Sequence, residues 1–185
     1  MRTSDIGINV DRGGDAPGFD ARDFRNAMGQ FATGVVVIAT SIDGHTHGMT
    51  ANAFMSGSLE PPLIIVSVAC NARMHSKIAQ GGRFGVSMLS EHQEWCSNHF
   101  AGKPAEGRQP EFESLSGAPV LAQAKVKIAA ELRHVYACGD HTLFVGEVKS
   151  LEHRSRDEGP LLFHGGRYAR LAGSDSMAMG GATQA

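Results

Sequence analysis

The sequence predicts a mainly β domain whose strands close, or nearly close, into a barrel with a few peripheral helices. Three observations carry this reading. Short β-branched runs are separated by turn signals roughly every 8 to 12 residues, the spacing of antiparallel meanders and barrels. Residues 125–136 alternate cleanly, with Val126, Ile128, Ala130 and Leu132 on one face and Lys125, Lys127, Glu131 and Arg133 on the other, as in a long half-exposed antiparallel strand. Glycine supplies 23 of 185 residues, well above its usual ~7%, which calls for many tight turns or close backbone approaches.

In chain order, residues 1–18 are polar, Gly-rich and aperiodic and read as a flexible arm. One domain then spans 19–171. Its first helix starts at an Asp20 N-cap, and Phe24, Ala27, Met28 and Phe31 form one apolar stripe that runs until Gly34. Residues 35–42 are β-branched and suit a buried strand; Asp43-Gly44 then turns the chain into a partner over 45–52. Residues 54–59 continue the sheet up to Glu60-Pro61-Pro62, and 63–69 form the next strand. A short helix over 74–80 closes at Gly81-Gly82, and a strand over 83–89 follows. Ser90 and Gln93 make a capping box for a helix from 91 to about 101. Residues 102–119 are rich in Gly, Pro and Glu and read as a surface excursion. After the 125–136 strand, Gly139-Asp140 turns into a strand over 141–148, and Gly165-Gly166 turns into Tyr168. Residues 172–185 read as a disordered tail.

Several functional classes drop out. The formal charge is 17 − 19 = −2 with pI ≈ 6.5, so there is no basic footprint for nucleic acid. The longest apolar runs, 35–39 and 63–66, fall far short of the ~20 residues of a membrane helix. The N-terminus has no secretory h-region, and the three cysteines are widely spaced with no C-x-x-C pair. Neither a disulfide scaffold nor a cysteine zinc motif is expected, and a reducing cytoplasm is.

The motifs of hydrolases and nucleotide folds are missing: there is no G-x-S-x-G, P-loop, H-E-x-x-H or G-x-G-x-x-G. His45-x-His47 places two imidazoles on one face of a strand, but no further ligand is fixed nearby, so they read as hairpin histidines and no metal is expected. Cys96 reads as a buried small hydrophobe. The informative segment is 48–66, GMTANAFMSGSLEPPLIIV, where small and hydroxyl residues crowd a β region. Backbone N–H groups and short side chains there can meet a polar heterocycle and a phosphate without a helix dipole. A sheet edge rich in small residues is the plainer alternative.

Four ordered motifs carry a resemblance: GVVVIAT at 34–40; GMTANAF with SLEPPL within 48–63; GRFGVSMLS at 82–90 with a later Phe100-Ala101; and GDHTLFVGEV at 139–148 followed by PLLFHGGRY at 160–168. Over residues 20–171 the chain resembles the flavin reductase family, the short-chain NAD(P)H:flavin oxidoreductases that serve two-component monooxygenases. The resemblance implies a split β-barrel of the FMN-binding type and a homodimer with flavin near the interface. It also implies reduction of FMN or FAD by NADH or NADPH, with reduced flavin diffusing to a separate flavin-dependent monooxygenase. Carried over by position, Thr50, Ala51, Asn52 and Ala53 approach the isoalloxazine with Ser56 nearby. Cys70, Asn71, Ala72, Arg73 and Ser76 line the ring edge or phosphate tail, Phe100 and Ala101 complete the pocket, and His141 and Tyr168 sit together on the nicotinamide side.

Two departures bear on affinity. Members of the family often carry Ser where this chain has Ala53, and hydroxyl residues where it has Ala72 and Met74. Fewer polar contacts imply moderate affinity and a diffusible flavin. Hydride transfer needs stacked rings and stabilisation of the anionic reduced flavin, not a nucleophile or metal, so no catalytic side chain is expected; backbone amides, Thr50, Asn52 and Arg73 suffice. Two rival readings of the same barrel are a non-enzymatic FMN-binding electron carrier and a haem- or metal-binding barrel. The G-D-H motif with Tyr168 favours the enzyme, since a simple carrier does not need it. A second subunit is expected to cover both the flavin and apolar surface of the 34–42 region.

Overall fold

A computed structural model describes residues 18–153 and 158–172; the expected arm and tail fall almost entirely outside them. Helix α1, Ala21–Met28, starts as the sequence predicts. The Asp20 carboxylate accepts from the amides of Arg22 and Asp23 at 2.7 and 2.8 Å, and Asp23 answers from N3 to complete a capping box. It stops at Gly29, five residues before Gly34, and its apolar stripe stays largely uncovered by the described residues: Phe24, stacked on Phe19 at 6.0 Å, Met28 and Phe31 are 56%, 53% and 71% exposed.

The strands are β1 (Thr33–Gly34), β2 (Val36–Ile42), β3 (His45–Ala51), β4 (Phe54–Leu59), β5 (Pro62–Ala69), β6 (Arg83–Met88), β7 (Phe112–Leu115), β8 (Ala118–Leu121), β9 (Val126–Cys138), β10 (His141–His153), β11 (Leu162–His164) and β12 (Arg167–Ala169). Helix α2 is Arg73–Gly81, and α3 is Glu94–Phe100, entered through a 3₁₀ turn at Glu91–Gln93 that carries the Ser90–Gln93 capping box. Seven strands form one antiparallel sheet in the order β3-β2-β6-β9-β10-β5-β4.

β3 and β4 stand at opposite edges of that sheet, yet only Asn52 and Ala53 separate them in the chain. Two residues span less than ~10 Å from strand to strand, so the sheet must curl until its edges almost meet. The two edges do not pair with each other, and the expected barrel is therefore split, with its seam at residues 52–53. Such a seam leaves a strand edge available beside a cavity.

Inside the curl, Val36, Ile38, Val66, Phe84 and Phe144 make the main core. On the opposite face, Val37 of β2 and Val35 just before it are buried against Leu89, Cys96, Leu121 and Leu161. Each such side chain contributes about 1.5–3 kcal/mol by leaving water. Because residues 35–40 are wholly buried within one chain, they offer no apolar surface to a second subunit; exposed apolar side chains stand instead on and beside α1, on β4 at Met55 and Leu59, and on β9 and β10 at Val135, Tyr136 and Leu151.

Two further expectations change. The 102–119 excursion ends in a hairpin, β7–β8, and all of β8 is buried, packed on β2, β6 and β9. Gly85 makes this possible: a Cβ there would lie 2.0 Å from the Pro119 carbonyl oxygen. The hairpin also covers the outer face of β9, so Lys127, placed by alternation on the solvent face, is fully buried. Its ammonium pairs with Glu113 of β7, and with Glu152 of β10 at 3.4 Å.

Candidate functional site

Three adjoining clefts follow β3 from its middle, across the seam, onto β4. The central one, about 380 Å³, is lined by Thr50, Ala51, Asn52, Asn98, Ala101, Lys103, Phe163 and Tyr168 among others. A second, about 520 Å³, shares Ala101 and adds His47, Gly48, Arg73, Lys77, His99 and Phe100. A third, about 590 Å³, shares Asn52 and Phe163 and adds Ala53, Met28, Phe31 and Met55. Shared walls make them one groove.

Local packing sets its walls. The Thr50 hydroxyl donates to the Ser97 carbonyl at 2.6 Å, tying β3 to α3. The Tyr168 hydroxyl donates to Asn98 Oδ1 at 3.4 Å and lies 2.8 Å from the Ser97 hydroxyl, which donates to it in that arrangement. Tyr168 also meets Phe163 edge-on at 5.7 Å, so it both packs against its neighbours and lines the groove. At Gly48 a Cβ would lie 2.5 Å from Phe100 Cε1, so glycine is what lets the Phe100 ring close on the strand.

Among the described residues β3 pairs only with β2, which leaves its other edge without a strand partner. Ala51, Ala101 and Phe163 supply apolar surface for a planar ring. Lys103, Arg73 and Lys77 supply positive charge, and among the described residues no carboxylate lines either the central or the second cleft. His99 Nδ1 is buried with no partner among the described residues. This donor set fits a flat heterocycle carrying a phosphate. At the cationic end, Lys77 Nζ lies 3.2 Å from His47 Nε2. Burial, then the Lys77 ammonium, then His45 hold His47 below the ordinary imidazole value. A neutral ring with its proton on Nδ1 leaves Nε2 to accept from Lys77.

Of the residues singled out from sequence, Thr50, Ala51, Asn52, Ala101 and Tyr168 meet in the central cleft, Arg73 and Phe100 in the second, and Ala53 in the third. Ser56, Cys70, Asn71, Ala72, Ser76 and His141 line none of the three. Ser56 stands exposed on β4 opposite Ile64, and Ala72 N-caps α2 between exposed Asn71 and Arg73, with Ser76 exposed on the helix. Cys70 donates its amide to the Asp140 carbonyl at 2.9 Å, and its thiol lies 3.8 Å from the Thr142 hydroxyl, which also meets His75 Nε2 at 2.8 Å. His141 Nδ1 lies 2.8 Å from Asp140 Oδ1. His141 therefore groups with Cys70 at the shared end of β5 and β10, not with Tyr168 at one mouth as the sequence implied.

Sequence reasoning missed Lys77, Asn98, Lys103 and Phe163. Lys77 carried a readable signal, falling four residues after Arg73 on the same helical face. Phe163 did not, because its place depends on β11 pairing with β1. Cys96 is buried and inert, its thiol pushed up to about 11 by desolvation. Among the described residues no group of His, Cys, Asp and Glu could hold a metal ion, and no helix is long and apolar enough to cross a membrane.

Comparison with known proteins agrees with this geometry. Residues 28–172 match the model of the flavin reductase like domain. An NADH-dependent flavin reductase of a Rhodococcus species is 42% identical over 151 residues, covering 80% of this chain and 84% of that protein. The reductase component of 4-hydroxyphenylacetate 3-monooxygenase from Thermus thermophilus is 40% identical over 149 residues, covering 80% and 95%. Among solved structures, flavin reductase PheA2 in its native state superposes with a TM-score of 0.80 at 46% identity, covering 84% of this chain and all of that one. A Streptomyces globisporus NADH:FAD oxidoreductase in complex with NAD and FAD fragments gives 0.76 at 32% identity, covering 87% of this chain and all of that one.

Proposed function

This chain belongs to the flavin reductase like family, and from that premise we propose that it oxidises NADH or NADPH, reduces FMN or FAD, and releases reduced flavin to a separate monooxygenase component. The observation that supports this most directly is the groove itself, where, among the described residues, a strand edge without a strand partner, apolar walls and three cations come together with no carboxylate.

The bound partners supply the redox chemistry, a hydride passing from the dihydronicotinamide to the flavin. The chain's part is to position and to stabilise charge. Amides at 50–52 and the Asn52 carboxamide hold the polar rim of the ring, and Ala51 and Phe163 exclude water from its faces. Lys103 and Arg73 offset the phosphate and the negative charge that develops on reduction. His141, with its imidazole facing Asp140, remains the candidate for the nicotinamide side.

The working unit is a homodimer in this reading. Met28 of α1 and Phe31 just beyond it line the third cleft, Phe24 stands exposed on the same helix, and a lone chain leaves all three in water. Cys70, Cys96 and Cys138 are free thiols, in keeping with a reducing, cytoplasmic setting.

The test is flavin-dependent nicotinamide oxidation by the purified chain, with FMN and FAD in parallel and each nicotinamide cofactor in turn. Turnover that requires added flavin supports the proposal. Tightly held flavin with negligible turnover would identify an electron carrier instead, and absence of both would overturn the reading.

A further inference from the structure

A fourth cleft, about 550 Å³ in volume, has the size of a small-molecule site. Gln93, Trp95, Arg108, Pro110, Glu111 and Leu121 are among its walls, and it shares no lining residue with the three clefts of the groove. The reading of the groove uses none of these side chains.

Its two charged groups stand unsatisfied. The Arg108 guanidinium lies over the Trp95 indole, 5.5 Å from the ring centroid, a contact that orders the planar cation without consuming its N–H donors. It makes no ion pair or hydrogen bond among the described residues, and neither does the Glu111 carboxylate, although both are exposed and line the same cleft. Gln93 is already committed, its carboxamide accepting from the Ser90 amide at 2.9 Å and donating to the Gln123 carbonyl at 3.2 Å. Pro110 and Leu121 add apolar surface. A ligand that satisfies an unpaired cation and an unpaired anion in one cleft must itself carry both signs. A simple anion on Arg108 would leave Glu111 beside it as a like charge.

We propose that this cleft is an effector site for a zwitterionic α-amino acid with an apolar side chain, its carboxylate on Arg108 and its ammonium on Glu111. The fold ties the cleft to the groove. Trp95 and Cys96 of α3 line the effector cleft, whereas Asn98 of the same helix lines the central cleft. The chain after α3 lines the groove at 101–103 and the effector cleft at 107–111. Phe112, next to Glu111, meets Phe100 edge-on at 5.7 Å, and Phe100 walls the second cleft. A ligand that links Arg108 to Glu111 braces this segment and so changes the affinity of the groove at its other end.

Trp95 is the single tryptophan of the chain, so its fluorescence reads the cleft directly. The experiment titrates the flavin-free full chain with L-leucine and L-phenylalanine, and with the deaminated acid and the decarboxylated amine of each. The expected result is a saturable change in Trp95 emission with the amino acids and binding about tenfold weaker for the acids and amines, the loss of one charge-assisted contact. Arg108→Gln should remove the advantage of amino acid over amine, and Glu111→Gln its advantage over acid. Circular dichroism verifies folding of each variant, and the ligand series on the wild-type chain decides the question without them. No saturable response in wild type at millimolar concentration, or acids or amines that bind as well as the amino acids, would overturn the site. FMN affinity with saturating amino acid should differ by about fivefold from that without it; equal affinities would overturn the coupling. Only this last arm rests on the flavin reductase reading: wild-type protein that binds the amino acids but neither binds nor reduces FMN would sink that reading while supporting the site.

Discussion

Thr50 and Ser97 are joined by a 2.6 Å hydrogen bond from the threonine hydroxyl to the main-chain carbonyl, and that bond fixes how far the free edge of β3 stands from α3. Ser97 Oγ, on the same residue, reaches Tyr168, so one residue anchors two walls of the central cleft. The proton of the Thr50 hydroxyl is committed to this clamp; toward a ligand Thr50 offers its lone pair and its backbone.

Thr50→Val, which keeps the shape and removes the donor, therefore acts on the scaffold first. The Ser97 carbonyl still accepts from the Ala101 amide at 3.0 Å, so the expected loss is about 0.5–1.5 kcal/mol of unfolding free energy, measured by urea denaturation. Flavin affinity should fall in parallel as the groove loosens. Unchanged stability together with lost binding would show that the hydroxyl serves the ligand directly.

Asn52→Ala is the converse case. Asn52 is exposed at the seam and lines both the central and the third cleft. Stability should stay within about 0.5 kcal/mol, whereas flavin affinity should weaken by about 1–3 kcal/mol, the loss of a polar partner that is covered once the ligand binds. Fluorescence titration beside thermal melting separates the two effects.

The contrast between these two residues shows what the sequence could reveal. Local signals were legible: the Asp20 cap, the Asp43-Gly44 hairpin, the β-branched run that became β2, and the motif that put Thr50, Ala51 and Asn52 together. Effects of the third dimension were not. Alternation placed Lys127 in solvent because nothing in the Gly- and Pro-rich 102–119 segment announced that it would fold back as β7–β8 and cover β9. Tyr168 joined the Thr50 cleft while His141 did not, because strand pairing between β10 and β5 carries His141 to Ala69 and Cys138, a register that spacing alone does not state.

Lys127 provides a stability test of that covering hairpin. Its buried ammonium is compensated by Glu113 and Glu152. Removing one partner strands charge in the interior, so Glu113→Ala should cost about 3 kcal/mol, while Lys127→Met, which removes the charge and keeps the volume, should stay within about 1 kcal/mol of wild type. Chemical denaturation of the two variants would distinguish a required ion pair from a replaceable one.

The thiols give a chemical and a pH test. Cys70 and Cys138 are exposed and Cys96 is buried, so two of the three should react with a thiol reagent in the native protein and the third only after unfolding. Burial raises Cys96 from 9.0 to about 11. A thiol whose folded value is raised contributes stability that is complete below pH 9 and lost as the pH climbs toward 11. Native Cys96 labelling at neutral pH, or stability that does not decline across that alkaline window in wild type relative to Cys96→Ala, would contradict the burial.

The last prediction concerns α1. Its capping box makes it a well-formed helix, yet none of its residues is buried, and an amphipathic helix gains most of its stability by burying its apolar face. Phe24, Met28 and Phe31 point that face outward beside a cleft whose other walls include Phe54, Met55, Ile65, Leu143 and Phe163. A second copy placed there would cover the stripe and close the third cleft, which shares Asn52 with the central one. Sedimentation velocity of the wild-type chain should show a dimer at micromolar concentration, and Phe31→Asp should shift it to monomer, because each copy would then bury an unpaired carboxylate in an apolar contact. Since the shared cleft opens at the same time, flavin affinity should fall with the dimer. A wild-type monomer with full flavin affinity would remove the second subunit from the site, and a Phe31→Asp dimer would place the interface elsewhere on the barrel.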